Sequence, residues 1–195
     1  SAASDVYKRQ FERDADWNAM IESVGYRRHR EKAFVERDLT SLEEFEIPFE
    51  WKPLSQVGDA AMLALLDRAA EGDPFEEGEP RDPEREWNEL LDYAGKMLDR
   101  DLWRIALLDG EPVGVVLPQA FDEDPPRGTL AYVAVLPAHR GKGLGRLLHR
   151  SGLALLAEAG VKKYVGSSDV RNVPMLKTFQ RNGCETVSTQ IYYRA

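Results

Sequence analysis

Apolar residues along the 195-residue chain switch between helical and strand spacing, and each switch predicts an element boundary. Residues 59–70 carry Met62, Leu63, Leu65 and Leu66 at helical spacing. A second helix is predicted over residues 83–98, with Pro83 near its start and Trp87, Leu90, Leu91 and Ala94 in one stripe. Residues 49–54 read as a short first strand. Residues 102–108 and 112–118 flank Asp109-Gly110, a two-residue hairpin signal, and so predict an antiparallel pair. Residues 129–136 form an apolar run that reads as a buried strand, ended by Pro137, which has no N–H to give a ladder. From Leu144 onward, Leu148, Gly152, Leu155 and Ala159 share one helical face, with Arg146, His149 and Arg150 expected opposite and Gly160 as the stop. Residues 163–167 then read as a strand and residues 172–184 as a helix.

Residues 17–26 look like the end of an amphipathic helix stopping at Gly25, and residues 27–39 are strand-like. This parallels the late helix, Gly183-Cys184, and the strand around Ile191, Tyr192 and Tyr193. Setting Gly25 against Gly183 places Ile21 against Phe179 and Phe34 against Tyr192. Two expectations stay open for residues 11–47: an N-terminal extension packed on a main domain at 48–195, or the tail of a preceding domain of the same kind. Residues 1–10, Ser1 to Gln10, resemble a translated transposase adapter from sequencing-library preparation, or form a disordered tail, and are set aside.

The segment Arg140-Gly141-Lys142-Gly143-Leu144-Gly145-Arg146 lies between the apolar strand and the helix that follows it. A helix N-terminus leaves its first N–H groups without intrahelical acceptors and favours negative charge, so glycines there predict a site for a diphosphate. Two familiar loops are excluded by spacing. An NTPase loop needs a hydroxyl residue after its lysine, and Lys142 is followed by Gly143; the dinucleotide fingerprint needs G-x-G-x-x-G, and these glycines run G-x-G-x-G.

Arg140, Gly143 and Gly145 meet the pattern [QR]-x-x-G-x-[GA], and the strand, loop and long helix around them resemble the pyrophosphate loop of the GNAT-type N-acetyltransferase superfamily. The resemblance covers approximately residues 49–195. Asn172 to Cys184 is similar to the family's second signature, with Met175 at the usual alanine and Cys184 at the usual aromatic position. It implies an α/β fold with a mixed, mostly antiparallel central sheet, splayed after the fourth strand and flanked by helices. It also implies acetyl-coenzyme A as co-substrate. The backbone of Val133 and Val135 would bond the pantetheine arm, Arg140, Gly141, Lys142, Gly143, Leu144, Gly145 and Arg146 would hold the phosphates, and Asn172 would contact the arm. Asn172 read on its own is equally a helix cap. The tyrosine that often protonates the departing thiolate is Phe179 here, and phenylalanine has no proton to give. Tyr132, Tyr164 and Ser168 are the remaining candidates for that catalytic role.

Residues 71–83 are rich in carboxylates and prolines, and in the superfamily the equivalent connection often covers the acceptor. An acidic cover, with Glu76, Glu77 and Glu79, would favour a cationic amine; a solvated loop is the plainer expectation. Residues 121–126 form a second acidic loop. The formal charge is −8, or −9 without the two basic and one acidic residue of the first ten, and no basic footprint for nucleic acid stands out. No apolar run is long enough to span a membrane, which sets the expectation of a cytoplasmic protein. The lone Cys184 excludes an internal disulfide and reads as a small buried residue; His29, His139 and His149 lack metal-ligand spacing, so no metal is expected.

The expected function is direct transfer of an acetyl group from acetyl-coenzyme A to a primary amine, on a small molecule or a peptide, in a ternary complex. A homodimer is compatible with this reading. Phe179 motivates the alternative of a non-catalytic acyl-CoA sensor, and a third reading is an interaction domain with a purely structural glycine loop.

Overall fold

The computed structural model describes residues 7–11, 15–43, 45–72 and 81–194. The chain forms two compact units. One joins the N-terminal segment through Glu36 to the C-terminal segment from Gly166; the other runs Arg37–Val165.

The larger unit begins with β3 (Glu50–Pro53), a single turn α2 (Leu54–Val57), and helices α3 (Asp59–Ala70) and α4 (Pro83–Ala94). Asp82 caps α4 by accepting from the N–H of Arg85 at 3.0 Å, and Pro83 occupies the first turn, where a missing N–H costs nothing. The helix expected to reach residue 98 stops at Ala94 because the chain tightens into a 3-10 turn at Gly95–Met97. Strands β4 (Arg104–Leu108) and β5 (Glu111–Ala120) meet at Asp109-Gly110, whose φ values of 52° and 78° are those the hairpin signal calls for. β6 (Arg127–Val135) pairs antiparallel with β5, and β3 with β4.

Two apolar layers cover this sheet. Ile105 and Leu107 pack with Leu65, Leu66, Trp87 and Trp103 beside α3 and α4, and the rings of Trp87 and Trp103 meet edge to face at 5.7 Å. Ala106, on the opposite face as strand alternation requires, packs with Phe49, Val113 and Leu148. Leu148 lies on α5 (Leu144–Glu158). That helix sits very close to the sheet: a Cβ on Gly114 would fall 2.5 Å from both the carbonyl oxygen of Ala134 and Cδ1 of Leu148.

β7 (Lys163–Asp169) is parallel to β6, but registered pairing covers only Arg127 with Lys163 and Gly128 with Tyr164. Past those two residues β6 has no registered partner on that side, which is the splay after the fourth strand of this unit. The architecture is mixed α/β with mostly antiparallel pairing.

The smaller unit holds β1 (Tyr7–Phe11), α1 (Ala15–Ser23), β2 (Arg27–Asp38, through Glu36), the end of β7, α6 (Val173–Arg181) and β8 (Glu185–Arg194). β8 pairs antiparallel with both β1 and β2. Residues 15–36 fall in this unit, and residues 37–43 and 45–47 in the larger one. Residues 7–10, set aside in the sequence, lie in a strand, because any extended segment can pair with the free backbone groups of a sheet edge.

The parallel noticed between the two helix-glycine-strand segments is carried by matching geometry. The N–H of Tyr26 bonds the carbonyl of Ile21, and that of Cys184 bonds the carbonyl of Phe179; Gly25 and Gly183 both have positive φ. Arg27 pairs with Arg194 and Glu36 with Glu185. Exchanging the two segments maps each of these pairs onto the other, so β2 and β8 are related by a local twofold.

Candidate functional site

β6 delivers the chain to the glycine segment through a 3-10 turn at Pro137–His139. Gly141 and Gly143 have φ values of 76° and 80°, a backbone that side-chain-bearing residues rarely adopt, and Gly143 stands at the N-cap of α5. The N–H groups of Gly143, Leu144 and Gly145 belong to the cap and first turn, which have no acceptor within a helix. N–H groups placed in this way, together with the helix dipole, favour negative charge. Added carbon at Gly143 would meet nothing within 4 Å, and at Gly145 only Cγ2 of Val135 at 3.7 Å, so space beside the loop is open.

The ends of the expected phosphate-binding set are otherwise engaged. The N–H of Arg140 donates to the carbonyl of Pro137 at 3.2 Å, and that of Arg146 to the carbonyl of Gly143 at 3.2 Å. Lys142 folds its ammonium onto the carbonyl of Ala138 at 3.2 Å, and the Arg146 side chain is exposed. Val133 and Val135 lie half-buried near the end of β6, beyond its registered pairing with β7. The carbonyl of Val135 accepts from Nε of Arg140 at 3.3 Å.

Asn172, in the smaller unit, is the N-cap of α6: its Oδ1 accepts from the N–H of Met175 at 3.1 Å. The amide nitrogen is not used by that cap. The preceding turn is tied by Asp169, whose carboxylate accepts from the backbone N–H, Nε and Nη2 of Arg171; those bonds hold it below the usual carboxylate range. Phe179 is 3% exposed, and Cys184 is buried.

The three catalytic candidates differ in access. Tyr164 is 2% exposed, with its hydroxyl 3.3 Å from Nε2 of His149 and the two rings edge to face at 5.3 Å. Ser168 on β7 and Tyr132 on β6 are half-buried. Tyr132 also lines a cavity of about 50 Å³ with Leu63, Asp67, Arg81, Glu86 and Trp87. A larger groove of about 620 Å³ lies along the C-terminal half of α5, beside Ala154, Ala157 and Glu158, at the other end of the helix from the glycines.

His149 corrects the expectation of a polar outer face on α5: it is fully buried. Leu153 and Leu156 follow it at i+4 and i+7 and are buried too, so α5 carries a second stripe that could have been read from those leucines. Burial, and then the charge of Arg37, push the imidazole down to about 3. Residues 73–80, with Glu76, Glu77 and Glu79, lie outside the described residues. In the second acidic loop, Asp122 pairs with Lys96 at 2.5 Å and is held below the usual carboxylate range by that bond. Among the described residues no group of three or more His, Cys, Asp or Glu could hold a metal ion, and no helix is long and apolar enough to cross a membrane.

The profile of the Acetyltransferase (GNAT) family matches residues 58–184, more than half of the chain. This chain belongs to the GNAT acetyltransferase family. The mycothiol acetyltransferase of Nocardia farcinica (strain IFM 10152) is 34% identical over 74 residues, 38% of this chain and 24% of that protein. That of Propionibacterium freudenreichii subsp. shermanii is 35% identical over 107 residues, 53% of this chain and 31% of its own. The matched stretches thus span about a quarter to a third of those relatives. A GCN5-related N-acetyltransferase from Sphaerobacter thermophilus superposes with a TM-score of 0.75 at 20% identity, covering 100% of this chain and 61% of its own, a likeness of fold.

Proposed function

We propose that this GNAT protein binds acetyl-coenzyme A at the glycine segment and transfers its acetyl group to a primary amine. The observation that carries this reading is the open turn at Gly141, Lys142, Gly143, Leu144 and Gly145, whose N–H groups meet the N-terminus of α5 beside the splayed end of β6. Those N–H groups take the diphosphate, Lys142 or Arg146 reaches the adenosine phosphate, and the backbone of Val133 and Val135 aligns the pantetheine arm. Asn172 keeps the contact with the arm that family resemblance assigns it.

The chemistry is direct. The lone pair of a neutral amine attacks the thioester carbonyl carbon, the carbon–sulfur bond breaks, and the nitrogen gives up a proton to solvent as coenzyme A leaves as a thiolate. Tyr132, Tyr164 or Ser168 protonates that thiolate, or solvent does; Tyr164 is the most enclosed of the three, against His149.

The acidic connection at 71–83 favours a cationic acceptor. A mycothiol-related amine leads the list of acceptors, because two relatives are mycothiol acetyltransferases. The buried apolar ring of Phe179 at the usual acid position favours a second reading, a non-catalytic acyl-CoA sensor.

Calorimetry with acetyl-coenzyme A followed by thiol release across an amine panel separates the readings. Binding with amine-dependent thiol release supports the enzyme, and binding without release on any amine supports the sensor. Absence of binding removes both.

A further inference from the structure

Arg140 belongs to the glycine segment, yet its side chain turns to another element. Nη1 donates to the carbonyl of Glu71 at 2.9 Å, Nη2 to that of Ala69 at 2.7 Å, and Nε to that of Val135 at 3.3 Å. Ala69 is in the last turn of α3 and Glu71 is the residue that ends it. A helix C-terminus leaves its last carbonyls without intrahelical donors and carries the negative end of the dipole, so a guanidinium there answers both needs. A Cβ on Gly72 would lie 3.8 Å from Nη1, so the chain leaves α3 alongside the guanidinium.

The far end of the acidic connection is held to the same helix. Nη1 of Arg81 donates to the carbonyl and Oδ1 of Asp67 at 3.2 and 3.1 Å, while its Nε and Nη2 bond Glu86 of α4 at 3.3 and 2.5 Å. Two arginines therefore hold both ends of the connection on the C-terminal half of α3. Leu63, Leu66 and Asp67 of this helix line the 50 Å³ cavity that Tyr132 also lines.

We propose that Arg140 is a positioning residue that makes the α3–α4 wall respond to a coenzyme A diphosphate on the adjoining loop. This rests on the coenzyme A site proposed above. Gly141, whose N–H faces the diphosphate in that reading, is the next residue to Arg140, whereas the carbonyls it grips are 69 and 71 residues away in sequence. Phosphate on the loop fixes its backbone, the backbone fixes the guanidinium, and the guanidinium fixes the end of α3 and the root of the acidic connection. Three carbonyls from two elements suit a planar fork with several fixed donors; the single ammonium of lysine cannot span them. Because coupling is reciprocal, ordering the acceptor side tightens coenzyme A by the same factor.

The test is hydrogen exchange over residues 62–72, with and without saturating coenzyme A, in wild type, Arg140→Lys and Arg140→Gln, beside calorimetry of coenzyme A on each. Wild type should bind coenzyme A and slow exchange in this segment by at least about fivefold, the low end of measured coupling between sites. Both variants should still bind, at saturating concentration, while that slowing disappears. Undiminished slowing in Arg140→Lys and Arg140→Gln overturns the proposal, as does absence of slowing in a wild type that binds. Loss of binding in Arg140→Gln with full binding and slowing in Arg140→Lys shows a phosphate contact by charge and also overturns it. A wild type that binds no coenzyme A overturns the site and the coupling together.

Discussion

His149 makes the larger unit sensitive to mild acid. Its imidazole is enclosed and pushed down to about 3 from an ordinary 6.5, so the folded protein holds it neutral while an unfolded chain protonates it freely. Between those two values the unfolded state binds more protons, so stability rises with pH there; it is fully present above 6.5 and drains away as pH falls toward 3. Linkage puts the loss from this one group at about 2 kcal/mol between roughly pH 7.5 and pH 5. Such a loss is a sizeable share of a domain's typical 5 to 15 kcal/mol, roughly an eighth to two fifths. Replacing His149 by Gln keeps a polar group facing the Tyr164 hydroxyl but removes the titration. Urea unfolding at the two pH values, followed by tryptophan fluorescence, gives the comparison directly. Wild type should lose about 2 kcal/mol more than His149→Gln on acidification. Equal losses in the two proteins would refute the reasoning, because any carboxylates that also titrate are common to both.

Gly145→Asp should fold at least as well as wild type, since a carboxylate in the first turn of α5 gains roughly 0.3–1 kcal/mol from the dipole, yet it should abolish coenzyme A binding. Calorimetric binding by a folded Gly145→Asp protein would remove the loop from the site. Gly114→Ala forces a carbon to within 2.5 Å of the Ala134 carbonyl and the Leu148 side chain, and should cost on the order of 1–3 kcal/mol by thermal melting. A melting point unchanged from wild type would show that α5 has room to withdraw from the sheet. Neutralising Glu76, Glu77 and Glu79 together to Gln should raise KM for a cationic amine and spare that for acetyl-coenzyme A, with the difference shrinking as salt screens exposed charge beyond about 10 Å. Identical kinetics across a salt series would return the acceptor class to unknown.

Elements whose causes are local were legible in the chain. Helix α3 occupies the residues its apolar spacing predicted, because Met62, Leu65 and Leu66 fall on one face at 3.6 residues per turn. Asp109-Gly110 closes its hairpin because two positive φ values in succession are cheap only for such residues. The glycine segment sits at a helix N-terminus for a similar reason: Gly143 supplies a left-handed cap that most residues resist.

What remained hidden depends on groups brought together from far along the chain. His149 looks polar and outward until Tyr164 of β7 covers it. The guanidinium of Arg140 is held by carbonyls at the end of α3 that only packing of the loop against that helix could present. The strand at Tyr7–Phe11 has no strong pattern of its own; the unpaired edge of β8 creates it. By itself, the sequence determined spacing, turn chemistry and the signature of the glycine segment, since each is written within a few residues. The tertiary structure alone decided which polar groups are buried and which side chain grips which backbone, because hydrogen bonds and desolvation depend on neighbours in space, and the linear chain leaves those neighbours open.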